Sequence, residues 1–319
     1  MTEHGPTLSP APMSTGQILD RIYRLMRAFW KTFVAIALVP AAAIGALATA
    51  GFAFWFWTLW PQISAHPPRL PHVSVYPILL MAGMGFLLLP LFVLYLPAAI
   101  YAATQANLGI KVRFREAYSV AWRHFGRYIW LMMLLCAYLY LPLFVIAGLI
   151  GGGARWILQG SQPGAMPAGL FVLIPAVALG YCGFLVYSVL ILLRFAVAFP
   201  ACVVEGISAR AALRRSTALT CGARGRIFLV LLVLYLVTYA ANMVLTNLIG
   251  LAGCIVAMPI LLAHAADPSA WVAIGAVAWF PIMVLYAVLL YAALTTALAV
   301  IYHDQRWRKD GVATLALPA

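Results

Sequence analysis

The chain has 319 residues, of which 66% are apolar or aromatic and 8% are charged, whereas soluble domains run at roughly 25% charged and under half apolar. An ordinary water-soluble globule is excluded. The 20 Lys and Arg against 7 Asp and Glu leave a net charge of +13, and with so few charges their placement carries more information than their sum.

In chain order, residues 1–13 form a flexible tail carrying Pro6, Pro10 and Pro12. Ser14 followed by Gln17 has the form of a capping box, which opens a helix. On that helix Ile18, Leu19, Ile22, Leu25, Met26 and Phe29 recur on one side, and Gln17, Asp20, Arg21, Arg24, Arg27 and Lys31 take the other. A helix with one apolar and one basic face is predicted to lie in the headgroup plane of a membrane.

Crossing about 30 Å of hydrocarbon takes roughly 20 apolar residues. Six runs qualify: 32–60, 76–101, 128–150, 169–193, 227–250 and 271–301. The first is too long for a signal peptide, and Phe52, Phe54, Trp55, Phe56, Trp57 and Trp60 crowd its far end as an interfacial belt. A further apolar piece, 251–263, is interrupted by Gly253 and Pro259 and is too short to cross. It reads as an extension of the fifth helix or as a surface segment.

Lys and Arg fall almost entirely on one side of these spans. Arg21, Arg24, Arg27 and Lys31 precede the first, and Lys111, Arg113, Arg115, Arg123 and Arg127 separate the second from the third. Arg194, Arg210, Arg214, Arg215, Arg224 and Arg226 lie between the fourth and fifth, and Arg306, Arg308 and Lys309 follow the sixth. Only Arg69 and Arg155 occupy the other three loops. The positive-inside rule then places both termini in the cytoplasm, with the chain a multi-pass membrane protein.

An internal repeat underlies this pattern. When Ile18 to Lys31 is set beside Phe114 to Arg127, Asp20 meets Glu116, Arg27 meets Arg123, Phe29 meets Phe125 and Lys31 meets Arg127. In the second copy Phe114, Ala117, Tyr118, Ala121, Trp122 and Phe125 form the apolar stripe. A weaker third copy runs from Ser208 to Arg226, and Gly206-Ile-Ser-Ala-Arg210 echoes Gly109-Ile-Lys-Val-Arg113. The expected fold is therefore all-α, a polytopic membrane protein with six transmembrane helices in three repeated hairpins and cytoplasmic amphipathic helices. Its domain covers 14–311, with repeats at about 14–107, 108–205 and 206–311 and a cytoplasmic tail at 312–319. Stacking of such units on one another predicts a pseudo-threefold ring of six helices, and three serial hairpins without symmetry would give the same sequence pattern.

Three stretches carry a family resemblance: Arg194-Phe-Ala-Val-Ala-Phe-Pro-Ala-Cys-Val-Val-Glu-Gly206, Ala212-Leu-Arg-Arg-Ser-Thr-Ala-Leu-Thr220 and Ile301-Tyr-His-Asp-Gln-Arg-Trp-Arg-Lys-Asp-Gly311. They resemble the integral-membrane domain associated with bacterial glycerophosphoryl diester phosphodiesterases, and related six-span bacterial membrane proteins. In that family the hydrolase activity belongs to a separate barrel domain, whose catalytic carboxylates have no counterpart here. The resemblance implies a membrane fold and leaves activity open.

Little in the sequence points to catalysis. Glu3, Asp20, Glu116, Glu205, Asp267, Asp304 and Asp310 all fall outside the middles of the spans, where coupled carriers usually keep an ionisable group. Paired carboxylates and nucleophile or phosphate-loop motifs are missing from the sequence. Cys136, Cys182, Cys202, Cys221 and Cys254 are scattered singly, and His66, His72 and His264 share one membrane face without ligand spacing. The expectation is no enzyme, no metal, no cofactor and no nucleic acid. Prolines fall in every span except the fifth, as membrane helices tolerate. Gly148 and Gly152 make a G-x-x-x-G that predicts close helix packing, within the bundle or between subunits, and Asn242 and Asn247 are expected to hydrogen-bond to neighbours.

The residues expected to contact anionic membrane lipid or a protein partner are Arg21, Arg24, Arg27, Lys31, Arg123, Arg127, Arg194, Arg214 and Arg215. Glu205, pairing with Arg113 or Arg115, is expected to dock one repeat on another. Function then reads as a non-catalytic membrane module binding lipid, a partner protein or a second copy of itself. The alternative is a permease or flippase for a lipid-like or apolar solute, passing through the centre of the ring.

Overall fold

The computed structural model describes residues 13–64, 75–159, 169–263 and 268–311. Among the described residues all regular structure is helical: α1 (Thr15–Ala28), α2 (Trp30–Ser64), α3 (Val75–Asn107), α4 (Phe114–Arg123), α5 (Phe125–Gln159), α6 (Leu170–Arg194), α7 (Ala198–Glu205), α8 (Ala209–Thr220), α9 (Arg224–Ala263) and α10 (Pro268–Asp310). Six of them, α2, α3, α5, α6, α9 and α10, are long and apolar enough to cross a membrane. In hydrocarbon every backbone polar group needs an internal partner, and a continuous helix supplies it. The piece 251–263 continues α9 through Gly253 and Pro259. The short α7 was not expected from the sequence.

The chain divides into two compact units, 1–125 with 229–319, and 126–228. In the first, α10 packs along α2 and α3. The seam between them is made of small residues: Ala37 and Ala41 on α2, Ala98, Ala102 and Ala106 on α3, and Ala293 and Ala297 on α10 are all buried. Small side chains let helix backbones approach, which replaces the hydrophobic driving force that lipid does not provide. Among the described glycines the tightest is Gly45 of α2, where a Cβ would stand 2.5 Å from Val284 Cγ2 and 3.0 Å from Phe280 Cε2.

α1 starts with the capping box: Gln17 N donates to Ser14 Oγ (3.3 Å) and Ser14 N donates to Gln17 Oε1 (2.7 Å). It buries Ile18, Ile22 and Leu25 and packs mainly on α10. The chain just ahead of it is fastened to the end of α10. Met13 N donates to Asp304 Oδ1 (3.0 Å), while Arg308 donates from Nε to Asp304 Oδ2 (3.0 Å) and from Nη2 to Met13 O (2.6 Å).

On α4, which packs against α3, only Ala117 and Ala121 of the expected stripe are buried. Trp122 is 67% exposed and Phe114 38% exposed. The alanines let α4 approach closely, and the rings turn outward and pair with neighbours, Phe114 on Tyr118 (4.9 Å) and Trp122 on Phe125 (5.8 Å). The Tyr118 hydroxyl donates to Ile36 O of α2 (3.0 Å).

In the second unit α5 and α6 lie side by side, joined where the Tyr187 hydroxyl donates to Tyr138 O (2.7 Å). Gly148 and Gly152 do not make the expected close packing among the described residues, since a Cβ at either would meet nothing within 4 Å. The tight position is Gly180 of α6, where a Cβ would stand 3.3 Å from Ile146 Cγ2. Phe144, Leu149, Phe171 and Leu179 are exposed apolar side chains on these two helices. α8 is seated on the end of α6 by Ser216 and Thr220, both buried, whose hydroxyls donate to Arg194 O (3.0 and 3.2 Å). They satisfy a helix-terminal carbonyl that has no intrahelical partner.

Candidate functional site

The basic residues expected to meet lipid divide into those that stay outside and those drawn inward. On the first unit Arg24, Arg27, Lys31, Arg113, Arg115 and Arg123 are exposed. Arg24 pairs with Asp20 one turn back, and Lys31 Nζ sits 5.8 Å from the Trp30 ring.

Arg21 is drawn inward instead. It occupies the i+3 position between Ile18, Ile22 and Leu25, so it falls on the buried stripe. Its Nε donates to Asn107 Oδ1 (2.7 Å) and its Nη2 to Asn107 O (3.4 Å), at the last turn of α3. Burial lowers its pKa first, and the charge of Arg24 lowers it further. Arg21 ties α1 to α3.

Arg127, in the second unit, is also engaged. Gly206 ends α7 in the left-handed region (φ 65°), which a glycine adopts without a Cβ penalty. The Arg127 Nη1 donates to the carbonyl exposed by that turn, at 2.6 Å. A cation at a helix C-terminus is favoured by the dipole as well as by the bond.

Glu205 pairs with Arg215 of α8, at 3.1 Å from Oε1 to Nε. The reason is local geometry: the turn at Gly206 folds α8 back against α7, bringing a residue ten positions on to the carboxylate. Arg215 thereby docks α8 on the end of α7.

Three other arginines of this unit converge. Arg194 at the end of α6 and Arg210 and Arg214 on α8 line one cavity of about 420 Å³, with Leu134, Tyr138, Phe195, Leu213 and Thr217. Arg210 and Arg214 stand one turn apart on the same face, an arrangement of like charges that costs an isolated helix a few tenths of a kcal/mol. Neither makes an ion pair among the described residues. Arg194 is positioned from two sides: its Nε donates to Thr217 Oγ1 (3.4 Å), and its guanidinium lies 5.5 Å from the Phe195 ring. Thr217 in turn donates to Leu213 O (2.9 Å), which fixes its hydroxyl as an acceptor toward Arg194.

Leu134 and Tyr138 also line a second hollow of about 230 Å³, completed by Ala137, Leu141, Pro142 and Tyr187. Its lining is mainly apolar. Another hollow on the opposite flank of α8 shares Arg210 and Arg214 but includes Glu205 and Arg215, whose carboxylate offsets part of the charge.

Sequence reasoning singled out Arg194 and Arg214 but not Arg210, Thr217, Tyr138, Ser216 or Thr220. The spacing held a signal: 210 and 214, and 216 and 220, are i, i+4 pairs, one basic and one hydroxylic, on different faces of a single helix. Of the histidines considered for metal, His66, His72 and His264 lie outside the described residues. Among the described residues no group of three His, Cys, Asp or Glu gathers. Comparison of the chain with protein-family models, with curated proteins and with solved structures finds no significant match.

Proposed function

We propose that the chain is a non-catalytic integral-membrane module of a bacterial cytoplasmic membrane, both termini cytoplasmic, whose α1, α4 and α8 hold anionic lipid. The observation that carries this is common to the three helices. Each buries apolar or small residues on one side, leaves Arg or Lys exposed on another, and runs within a few residues into a long apolar helix. At a bilayer surface each such charge adds about 1 kcal/mol toward anionic lipid.

Backbone geometry supports the reading of these helices as repeats. The break between α1 and α2 at Phe29 (φ −118°, ψ 23°) is matched between α4 and α5 at His124 (φ −118°, ψ 24°). Gly109 and Gly206, ahead of α4 and α8, both have positive φ. The similarity to the phosphodiesterase-associated membrane domain fits the same reading.

The test has two parts. Native mass spectrometry of the purified protein should show co-purifying anionic lipid. An impermeant thiol reagent added to intact cells should fail to label Ser119→Cys in a chain whose own cysteines are replaced by serine. Labelling from outside would refute the orientation, and lipid-free protein would refute the binding role.

A further inference from the structure

We propose that the second unit carries a discrete phospholipid site, with the phosphate held by Arg194, Arg210 and Arg214 and an acyl chain laid in the hollow of Leu134, Ala137, Tyr138, Leu141, Pro142 and Tyr187. The assignment rests on the membrane reading above and narrows it from a basic surface to one place.

Charge is the first argument. Three guanidinium groups, each always protonated and suited to bidentate contact with phosphate oxygens, border a single cavity. No carboxylate lines it. The Arg210 and Arg214 pair repels itself in the empty site, and a bound anion relieves that repulsion. On the other flank of α8 the same two arginines share space with Glu205, so an anion is favoured on the Arg194 side.

Continuity is the second. Leu134 and Tyr138 belong to both the arginine-lined cavity and the apolar hollow, so the two form one site with a cationic end and an apolar end. Leu134 to Pro142 on α5 covers about 12 Å along the helix axis, and Tyr187 on α6 lies about 10 Å from Arg194. The hollow therefore leads away from the arginines into the spanning part of both helices. A free phosphate would leave that half empty, and a phosphopeptide would have to push its chain into hydrocarbon. A phospholipid joins a phosphate and an apolar chain covalently and fits both ends.

The third is preorganisation. Arg194 is held through Thr217 and Phe195, and α8 is pinned to the end of α6 by Ser216 and Thr220, so the arginines on both helices sit on a fastened frame. Less ordering is then required when the ligand arrives.

The full chain, delipidated in detergent, would be titrated with phosphatidylglycerol or phosphatidylcholine and read by native mass spectrometry. One phosphatidylglycerol should bind at least about tenfold more tightly than phosphatidylcholine, and Arg210→Gln/Arg214→Gln should weaken it by about tenfold or more. Both side chains are exposed, so the variant should remain folded, as circular dichroism would check. Ala137→Trp, which fills the apolar hollow and leaves every charge in place, should weaken phosphatidylglycerol severalfold. Millimolar inorganic phosphate should not displace the lipid.

Displacement by phosphate, or full affinity in Ala137→Trp, would overturn the lipid assignment. An equal loss from Arg24→Gln/Arg27→Gln on the other unit would show diffuse attraction and overturn the site. In each of those cases the protein still retains anionic lipid, and the broader reading stands. Loss of all lipid preference in the unaltered chain would remove both.

Discussion

Asp304 offers the sharpest test of how the first unit is held together. Its carboxylate is fully enclosed and accepts from Met13 N (3.0 Å), Arg308 Nε (3.0 Å) and Gln305 Nε2 (3.3 Å). Arg308 also reaches Met13 O, so one carboxylate and one guanidinium clasp the segment ahead of α1. Asp304→Asn keeps the shape but removes the charge and puts an NH2 group where only donors converge. Hydrogen bonds to charged groups contribute about 1.5–3 kcal/mol, and leaving a buried donor unmatched costs about 1–3 kcal/mol. The upper range for breaking a buried ion pair, about 3–5 kcal/mol, does not apply, because Arg308 is 31% exposed and water takes over part of its loss. The expected cost is about 2–3 kcal/mol. Thermal unfolding in detergent, followed by circular dichroism, would measure it, and hydrogen exchange at the start of α1 should rise selectively. In an Arg308→Gln background the cost should shrink by about 1–2 kcal/mol. A loss below about 0.5 kcal/mol, or no coupling to Arg308, would refute the clasp.

Three further outcomes are expected. Gly45→Ala should lower stability by about 1–3 kcal/mol through overpacking, because its Cβ would meet Val284 at 2.5 Å, whereas Gly148→Ala should be neutral or slightly stabilising; equal melting of the two proteins would contradict the packing of α2 on α10. Glu205→Gln should cost about 1 kcal/mol, since the pair with Arg215 is partly exposed (29% and 16%), and Arg215→Gln in that background should cost less than it does in the unaltered chain. Burial raises the Tyr118 phenol from 10.0 to about 12, so the folded chain keeps its proton longer than the unfolded one. That stability is complete below about pH 10 and disappears as pH climbs through about 12. Tyr118→Phe should lose about 1 kcal/mol at neutral pH and flatten the alkaline slope; an unchanged slope would show that the phenol is not buried as described.

Much of the local structure was legible in the residues. The six apolar runs coincide with the six long helices, and Ser14 and Gln17 form the capping box, while the residues allowed 251–263 to be a helix extension or a surface segment and the structure makes it part of α9. These features depend on neighbours a few positions apart and on the cost of an unsatisfied backbone group, both of which sequence records directly. The aromatic stripe of α4 misled because apolarity does not say which side chains can fit: a helix approaching closely accepts Ala117 and Ala121 and rejects Trp122. At Gly148 and Gly152 no neighbour approaches among the described residues, since small residues permit an approach without compelling one.

The destinations of the charges required the tertiary structure. Arg21 reaches Asn107 across 86 residues and Arg127 reaches Gly206 across 79, and Glu205 takes Arg215 because a left-handed glycine turns the chain back. The sequence by itself determined that the chain is built of long apolar helices with cations gathered near their ends, because hydrophobicity and helical period are properties of short stretches. Only the folded arrangement decided which arginines are spent on holding helices together and which three remain around one cavity. Electrostatic and hydrogen-bonding partners are chosen by distances of a few ångströms, and those distances are set by how helices far apart in the chain pack.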